Sequence, residues 1–441
     1  MRASPTFLKT AVVYQIFLRA YTPEGTIEAA ERHLPELKQL GVDIVYLCPF
    51  VRHDDGQDPK NFSQRMIDCG LPGPRNPYRL SDYFEIDPEY GTDHDFARFV
   101  RSAHELGLKV MLDLVYMHCG MNATFLARHP DYVKRNQDGS IKLTSFGFPL
   151  VNADNPGMRE YLYENMVYFV RRFDIDGYRC DCGDSVPPDL WEEGARRVRC
   201  IRPDFIMLNE GEKQEALNSA FDLNYGGLWV WKIQAYMRGE RPAEQVRECI
   251  AVNSGVSQAN TGCYILAVEN HDFANDAYDH RIETQVTEKD MEGALMTCAF
   301  LPGVPFLYGG QEIADACRHS IMGNRYNAPS LHVDWTRAKD KKARRRRKFL
   351  TEVYRLRHTL PALSDRTVPC EWLAGGDAIA FLRRYGGQTI AAAYNASGDE
   401  VRVALPAAAE GQVVLSSEGA VFDGAALTLA PHSYIAVTIE G

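Results

Sequence analysis

Short apolar segments rich in β-branched and aromatic residues alternate along most of the chain with longer amphipathic stretches. Eight such segments occur, and they begin at Val12, Ile44, Lys109, Asp176, Phe205, Phe221, Tyr264 and Pro305. Strands that alternate with helices predict βαβ units and a parallel sheet. Eight repeats match the strand number of the closed (β/α)8 barrel, so the sequence predicts an α/β fold of the TIM-barrel type.

Two long connections and a change of pattern predict the domain organisation. The connections cover about 51–80 and about 119–156, and loops of this length are usually functional, so we predict the second to form a short loop domain after strand 3. Beyond Leu360 the pattern changes to short alternating strands, AIAFLRRY, TIAAAYNA, VRVALP, QVVLSS and SYIAVTIE. We therefore predict a catalytic barrel over 1–360, including the insertion, and a C-terminal antiparallel β domain over 361–441.

Composition and charge restrict the class of ligand. At 441 residues the chain exceeds what one hydrophobic core usually serves. Its 45% apolar and 24% charged residues are ordinary for a globular protein, and no apolar run reaches membrane-spanning length. The net charge of −10 disfavours nucleic acid and anionic lipid. We therefore expect a neutral small molecule or sugar as ligand, with no nucleic acid or membrane partner, and the oligomeric state stays open.

The N-terminus and the cysteines bear on the cellular compartment. The segment MRASPTFLKTAVVYQIF has no apolar run followed by a cleavage site, and its VVYQIF part predicts a strand. The eleven cysteines are odd in number and form no C-x-x-C pair, which indicates neither a disulfide framework nor a zinc site. We expect reduced thiols in a cytoplasmic protein, although removal of an export signal would leave the same sequence.

One basic run, KKARRRRKFL over 341–350, is a possible nucleic-acid-binding motif. It continues into the helical spacing of Phe349, Leu350, Val353 and Leu356 within an acidic protein. We therefore interpret it as a solvated helix face without a function.

Ionisable residues follow several of the predicted strands directly. His118 follows the third, Asp181 the fourth, Glu210 the fifth, and His271 with Asp272 the seventh. The C-terminal ends of barrel strands meet at the face that carries the active site in such folds. A single charge of this kind would be interpreted as a surface residue, but four strands together predict one site.

Cleavage of a bond between sugars is usually carried out by two carboxyl groups in different environments. One must stay ionised, as a carboxylate beside an arginine does, and the other must hold a proton. Arg179 lies two residues before Asp181, so alternation along the strand puts both side chains on one face. This spacing predicts Asp181 as the ionised partner.

Six segments, taken in order, resemble one known family. They are VYQIFLRAYTPEGT, SDYFEIDPEYGT, DLVYMH, DGYRCD, ENHD and LPGVPFLYGGQE. All are similar to segments of the α-amylase superfamily, glycoside hydrolase family 13, and six ordered matches are far more specific than one. The resemblance implies a retaining α-glycoside hydrolase that acts on α-linked oligosaccharides or α-glucans.

The resemblance also implies three catalytic carboxyl groups. Asp181 corresponds to the nucleophile, Glu210 to the general acid/base, and Asp272 to the carboxylate that helps to distort and stabilise the bound sugar. In the segment NEGEK, Glu212 is a rival for the acid/base. Glu210 is preferred because it ends the apolar run of its strand, whereas Glu212 lies in the loop beyond it.

Five further residues correspond to the family's substrate-binding groups. His118 and His271 would bind sugar hydroxyls, Tyr78 would stack beneath the sugar, Arg179 would hold Asp181, and Asp113 would support the site. Packing roles are the alternative for His118 and Tyr78, and a structural role is the alternative for Asp113.

The chain departs from the family pattern at two places. Met117 occupies the position of an asparagine that binds calcium, and a thioether is a poor ligand for that cation. We therefore predict no metal or other cofactor at this position, with Asp54, Asp55 and Asp58 as a possible alternative cluster. Asp184 and Ser185 replace a Lys-His pair on the leaving-group side, which favours an exo-acting α-glucosidase.

Other functions stay open at this point. Within the superfamily these are an endo-acting α-amylase and a transglycosylase. A non-catalytic carbohydrate-binding relative would not need the trio of carboxylates. An unrelated barrel enzyme, such as an aldolase or a metal-dependent hydrolase, would need a lysine or a metal cluster at the strand ends, and neither pattern is found.

Overall fold

A closed barrel of eight parallel strands, in the order β1 to β8, forms the centre of the protein in a computed structural model. The structure describes residues 4–249, 263–275, 278, 280–328, 331–366 and 368–440. The barrel strands are β1 Val13–Ile16, β2 Ile44–Leu47, β3 Lys109–Leu114, β4 Gly177–Cys180, β5 Ile206–Asn209, β6 Leu223–Tyr225, β7 Cys263–Ala267 and β8 Val304–Tyr308. Each lies within or next to one of the eight predicted segments, so the TIM barrel is confirmed.

The strand register brings the predicted site residues together. Parallel strands covered by helices are buried on both faces, and every residue of β1, β2, β4 and β5 is buried. In the pairing of β3 with β4, Asp113 is the neighbour of Arg179. The register thus joins a carboxylate and a guanidinium that lie far apart in the sequence.

Helices connect and surround the strands. They are α1 Leu18–Tyr21, α2 Ile27–Glu31, α3 Leu34–Leu40, α4 Gln64–Asp68, α5 Asp93–Glu105, α6 Pro156–Phe173, α7 Pro188–Ile201, α8 Gly227–Met237, α9 Glu288–Phe300 and α10 Lys341–Thr359, and residues 243–249 are also helical. Several begin at a side-chain cap, as α5 does where Thr92 and Asp95 form a reciprocal capping box. Over the part of the chain that is described, no helix combines the length and apolarity that a membrane crossing requires.

The two long connections are ordered by local hydrogen bonds. The 51–80 connection contains the 3₁₀ turn Pro59–Asn61 and helix α4. It is joined to the connection after β8, because the Arg75 amide donates to the Met322 carbonyl at 2.9 Å. The 119–156 connection contains two 3₁₀ turns and several isolated β-bridges, of which one pairs His118 with Leu150. Both connections extend above the C-terminal ends of the strands.

The C-terminal region forms two antiparallel sheets, as predicted. One sheet has the order β13-β16-β11-β10-β9 and the other β12-β15-β14. The strands are β9 Glu371–Trp372, β10 Ile379–Tyr385, β11 Gln388–Asn395, β12 Val401–Ala404, β13 Gly411–Ser416, β14 Ala420–Phe422, β15 Ala426–Leu429 and β16 Ser433–Glu440. The sequence analysis missed β9, β14 and β15, because β9 and β14 have only two and three residues and the four residues of β15, ALTL, do not alternate apolar with polar. The domain boundary at 360/361 stays a prediction.

The basic run lies at the start of α10 and is only partly solvated. Arg346 is fully buried and pairs with Glu283 at 3.1 Å. Arg345 and Arg347 pair with Glu292 and Glu36. The interpretation as a solvated face is therefore wrong for Arg346. Its burial is tolerated because Glu283, from a distant part of the sequence, compensates its charge.

Four of the cysteines that the structure describes, Cys48, Cys119, Cys180 and Cys298, are buried free thiols. The absence of a disulfide framework stays an expectation drawn from the cysteine count and spacing. The cytoplasmic location stays a prediction.

Candidate active site

A cavity of about 470 Å³ opens at the C-terminal ends of the barrel strands. Its walls include six of the eight predicted site residues, namely Tyr78, His118, Asp181, Glu210, His271 and Asp272. The other two, Asp113 and Arg179, are buried and are not among the residues that line the cavity. The structure therefore brings the predicted groups together at one place, with two of them beneath the wall.

Arg179 is shared by three carboxyl groups. Its Nη1 lies 2.7 Å from Asp113 Oδ1 and 3.0 Å from Asp181 Oδ1, and its Nη2 lies 2.5 Å from Glu210 Oε1. The guanidinium side chain is 1% exposed. A single buried cation thus faces three acidic groups, whereas the sequence spacing had assigned it to Asp181 alone.

The shared cation changes the expected protonation of Asp181. Burial raises the pKa of Asp181 well above its usual range; Arg179 opposes this shift, and the nearby Glu210 and Asp113 add to it. Burial likewise raises the pKa of Asp113 to about 6, again against Arg179. Arg179 thus lowers the pKa of Asp181, as the pairing predicts, although its charge is divided among three neighbours; the assignment of Asp181 as the ionised partner stays a prediction.

The Asp181 carboxyl group is held on one side only. Its Oδ1 accepts a hydrogen bond from Arg179, while Oδ2 is buried and accepts none from the described part of the chain. An oxygen of Asp181 lies within 4.8 Å of an oxygen of Glu210. This separation is short enough for two carboxyl groups to act on opposite sides of one glycosidic bond without an intervening water.

Glu210 faces the cavity from the end of β5. Its Oε2 accepts a hydrogen bond from the Cys182 amide at 2.7 Å, and its side chain is 26% exposed. Cys182 has a left-handed backbone with φ of 45°, a conformation that costs free energy in a residue other than glycine. Glu212 is exposed and does not line the cavity. The geometry therefore favours Glu210 over Glu212 as the group that can reach a bound sugar.

Asp272 lines the cavity from the segment after β7, next to two basic groups. Arg65 Nη1 lies 3.5 Å from its Oδ1, and His271 Nε2 lies 3.6 Å from its Oδ2. Burial alone would raise the pKa of Asp272, but His271 and Arg65 outweigh it and lower the pKa. Asp272 therefore stays ionised more readily than Asp181.

The tautomer of His271 follows from its neighbours. The Gln15 side chain accepts from the His271 amide at 3.2 Å and donates to His271 Nδ1 at 2.8 Å. The proton of the neutral ring is therefore on Nε2, which lies 2.6 Å from the Tyr78 hydroxyl. Both ring nitrogens thus have protein partners, so a sugar hydroxyl would have to share one of them.

His118 is a buried neutral imidazole. Burial lowers its pKa to about 4. Its Nε2 donates to the Tyr78 carbonyl at 3.0 Å, and Nδ1 has no partner in the described part of the chain. An unpaired buried acceptor is costly, so a hydroxyl donor that reached it would bind favourably.

Tyr78 lies flat against His271 and is fixed from below. The two rings are 5.5 Å apart and 14° from parallel. The Tyr78 hydroxyl donates to Asp113 Oδ2 at 3.1 Å, and Tyr46 donates to the same oxygen at 2.5 Å. Asp113 therefore acts on the site through Tyr78 and Arg179 and does not contact the cavity itself.

The sequence analysis missed several residues of the wall. They are Ser63, Gln64, Arg65, Asn76, Ser145, Phe146, Phe148, Cys182, Ile321 and Met322. Most lie in the two long connections, which the sequence did identify, but no residue pattern shows which loop side chains face inward. Gln15 was also missed, although a polar residue inside an apolar strand is a recognisable signal.

Residues suited to a metal occur in two groups within the described ranges. His53, Asp87 and Glu89 form one, and Asp181, Cys182 and Glu210 form the other. Both oxygens of Glu89 are bound by Arg19, which competes with a cation. Among the aspartates considered as an alternative, Asp54 binds Arg79 and Asn122 with its two oxygens. Met117 is buried and offers only a thioether, so the residues at that position do not fit calcium.

Comparisons with known proteins agree with this architecture. The family model for the α-amylase catalytic domain matches residues 15–141. The chain is 25% identical over 448 residues to α-amylase MalA of Haloarcula japonica, covering 96% of this chain and 61% of that protein. It is 28% identical over 253 residues to a maltogenic α-amylase of Bacillus acidopullulyticus, covering 47% of this chain and 39% of that protein. The chain thus spans less than two thirds of the length of these relatives.

A solved structure gives the same result for the fold. The crystal structure of an α-amylase from Lactobacillus plantarum superimposes with a TM-score of 0.80 at 24% identity. The match covers 98% of this chain and 99% of that one. The barrel, the ordered segments and the match of the family model to residues 15–141 thus all make the chain similar to members of the α-amylase superfamily, glycoside hydrolase family 13.

Proposed function

We propose that the protein is a retaining α-glycoside hydrolase that acts on α-glucan oligosaccharides. The observation that carries this proposal is the short separation, within 4.8 Å, between an oxygen of Asp181 and an oxygen of Glu210. Inverting enzymes need roughly 6.5 to 9.5 Å between their carboxyl groups to admit a water, whereas retaining enzymes need about 5 to 5.5 Å. The spacing therefore supports a double displacement.

In the first step Glu210 donates its proton to the glycosidic oxygen, and a carboxylate oxygen of Asp181 bonds to the anomeric carbon. The bond to the leaving group breaks, and the leaving sugar departs with the proton as an alcohol. In the second step Glu210 takes a proton from water, the water oxygen bonds to the anomeric carbon, and the bond to Asp181 breaks. Each displacement inverts the anomeric centre, so the product keeps the α configuration.

Arg179 is suited to support both steps from beneath the cavity. It contacts Asp181 and Glu210 at the same time, at 3.0 Å and 2.5 Å. When negative charge moves from Asp181 to Glu210 during the reaction, the guanidinium remains in contact with the group that gains the charge. Asp272 and the Tyr78 ring, on the wall of the same cavity, supply an ionised acceptor and a flat surface for the sugar.

We propose an exo mode of action, which rests on the closure of one end of the cavity. The 51–80 connection supplies Arg65, whose contact with Asp272 joins this connection to the end of β7. Asn327 also donates to the carbonyls of Pro72 and Gly73 at 3.1 Å, which joins the 51–80 connection to the one after β8. A cavity walled in this way favours a chain terminus over the middle of a polymer.

The leaving-group side gives further support. Asp184 turns its carboxylate toward the segment after β5, and Ser185 is exposed, so neither residue lines the cavity. No side chain at these two positions is placed to donate to an acceptor sugar. The missing contacts on the leaving-group side therefore weaken the binding of short oligosaccharides less than the binding of long polymers. A long polymer depends on contacts on both sides of the cleaved bond.

The test is a substrate panel with stereochemical analysis. Wild-type protein and Asp181→Asn are assayed on chromogenic α- and β-glycosides, and on maltose, isomaltose, sucrose and soluble starch. We expect the wild type alone to hydrolyse α-glucosides, with the α-anomer appearing first by proton NMR. A β-anomer as first product, or activity in Asp181→Asn equal to that of the wild type, would overturn the mechanism, and absence of α-glycosidase activity would overturn the proposed function.

A further inference from the structure

Asp184 joins the two segments that follow the catalytic carboxyl groups. It lies in the 3₁₀ turn Gly183–Ser185, directly after β4 and Asp181. Its Oδ2 accepts hydrogen bonds from the backbone amides of Glu212 and Lys213, at 2.8 and 3.0 Å. These two residues belong to the segment directly after β5 and Glu210, so one carboxylate connects both segments.

The connection extends into the barrel through two asparagines. Asn209, the last residue of β5, donates from Nδ2 to Asp184 Oδ1 at 2.9 Å and to Asn224 Oδ1 at 2.6 Å. Asn224 on β6 donates in turn to the Lys213 carbonyl at 3.0 Å. Both asparagines are fully buried. The Asp184 contact is therefore the outer end of a hydrogen-bond network anchored in rigid strands.

Two glycines allow the segments to approach closely. A Cβ on Gly211 would lie 2.3 Å from Asp184 Cγ, and a Cβ on Gly183 would lie 1.9 Å from Asn209 Oδ1. Neither distance is compatible with a side chain. The chain thus has glycine at both points where the backbone passes the network, because only a residue without a Cβ allows so close an approach.

The same two segments hold the Glu210 carboxyl group. The Gly183 amide donates to the Glu210 carbonyl at 3.1 Å, and the Cys182 amide donates to Glu210 Oε2 at 2.7 Å. We propose that Asp184 is a positioning residue that fixes Glu210 relative to Asp181 and thereby sets the efficiency of proton donation to the leaving group. This inference rests on the proposed function, in which Glu210 is the acid/base.

A positioning role of this kind has a specific kinetic signature. A sugar is a poor leaving group and needs a proton from Glu210, whereas fluoride departs with far less assistance. A shift of Glu210 by a fraction of an ångström therefore slows cleavage of maltose and has little effect on α-glucosyl fluoride. General destabilisation of the barrel would slow both substrates equally.

The experiment compares Asp184→Ala, Asp184→Asn and wild-type protein on maltose and α-glucosyl fluoride. For Asp184→Ala we expect kcat/KM on maltose to fall about 100-fold and on the fluoride less than about threefold, in the range that general acid catalysis contributes. Asp184→Asn keeps one acceptor for the two amides but turns an NH2 group toward a donor, so its loss should be smaller and show the same selectivity. Ser185→Ala, the exposed neighbour in the same turn, serves as the matched control and should leave both rates unchanged.

The possible outcomes are distinguishable. Equal losses on both substrates, or no loss on either, would overturn the positioning role while leaving the proposed function intact. If Asp184→Ala does not fold, Asp184→Asn decides the question by the same ratio. Wild-type protein without activity on either substrate would overturn the proposed function, and this inference with it.

Discussion

Replacement of Arg179 by methionine should destabilise the protein strongly, and more at high pH than at low pH. Arg179 is buried and lies within 3.0 Å of Asp113, Asp181 and Glu210. Removing one partner of a buried ion pair costs about 3 to 5 kcal/mol, because the remaining charge is left without compensation. Since three carboxyl groups lose their cation here, we expect the upper end of that range, about 5 kcal/mol, at pH 8.

Protonation of Asp113 and Asp181 limits the loss of stability in Arg179→Met at low pH. Without the guanidinium the pKa values of Asp113 and Asp181 rise further, and for Asp113 the starting value is already about 6. A carboxyl group whose folded pKa exceeds its unfolded value of about 3.9 reduces stability as the pH rises from the unfolded toward the folded pKa. At pH 5 most of these groups would be neutral, so we expect a loss of only about 2 kcal/mol there.

The assay is urea denaturation of wild type, Arg179→Met and Arg179→Lys at pH 5 and pH 8, followed by tryptophan fluorescence. The lysine variant keeps one charge but cannot bridge three groups, so its loss should be intermediate. Arg52→Met is the control, because Arg52 pairs with Glu85 at 2.6 Å on the surface and such pairs contribute less than about 1 kcal/mol. The reasoning would be refuted if Arg179→Met lost as little free energy of unfolding as Arg52→Met. It would also be refuted if Arg179→Met lost more free energy of unfolding at pH 5 than at pH 8.

Three further predictions concern catalysis, metal and mode of action. Asp181→Asn and Glu210→Gln should each lower turnover on maltose about 10³-fold or more, while Glu212→Gln should do little, and the reverse order for the two glutamates would show that the acid/base is wrongly assigned. Chelation should leave activity and melting temperature unchanged, because the Met117 side chain offers no oxygen ligand. Bound calcium at a hundredfold excess over its Kd would add about 2.7 kcal/mol to the free energy of unfolding, so a fall of several degrees in melting temperature on chelation would contradict this prediction. Short α-gluco-oligosaccharides should be cleaved faster per mole than soluble starch, with a small sugar as the main early product. A rapid fall in starch viscosity with a ladder of intermediate oligosaccharides would instead indicate endo attack.

The fold was largely predictable because its signals are local. A strand buried on both faces appears as a short apolar run, and the eight runs of this chain correspond to β1 to β8. The polar residue at the end of a run marks the C-terminal face, which is why His118, Asp181 and Glu210 could be placed in one site. Strands β9 and β14 escaped detection because two or three residues carry no period, and β15 escaped because its residues ALTL do not alternate.

By itself, then, the sequence determined the barrel, its C-terminal antiparallel sheets and six of the residues around the cavity. Only the tertiary structure decided how those residues share their partners. Arg179 faces three carboxyl groups, Gln15 sets the tautomer of His271, and Asp184 connects the segments after β4 and β5. These contacts join residues between two and 256 positions apart. Periodicity along the chain sets which way a side chain faces, but barrel closure and strand register decide which distant group it meets.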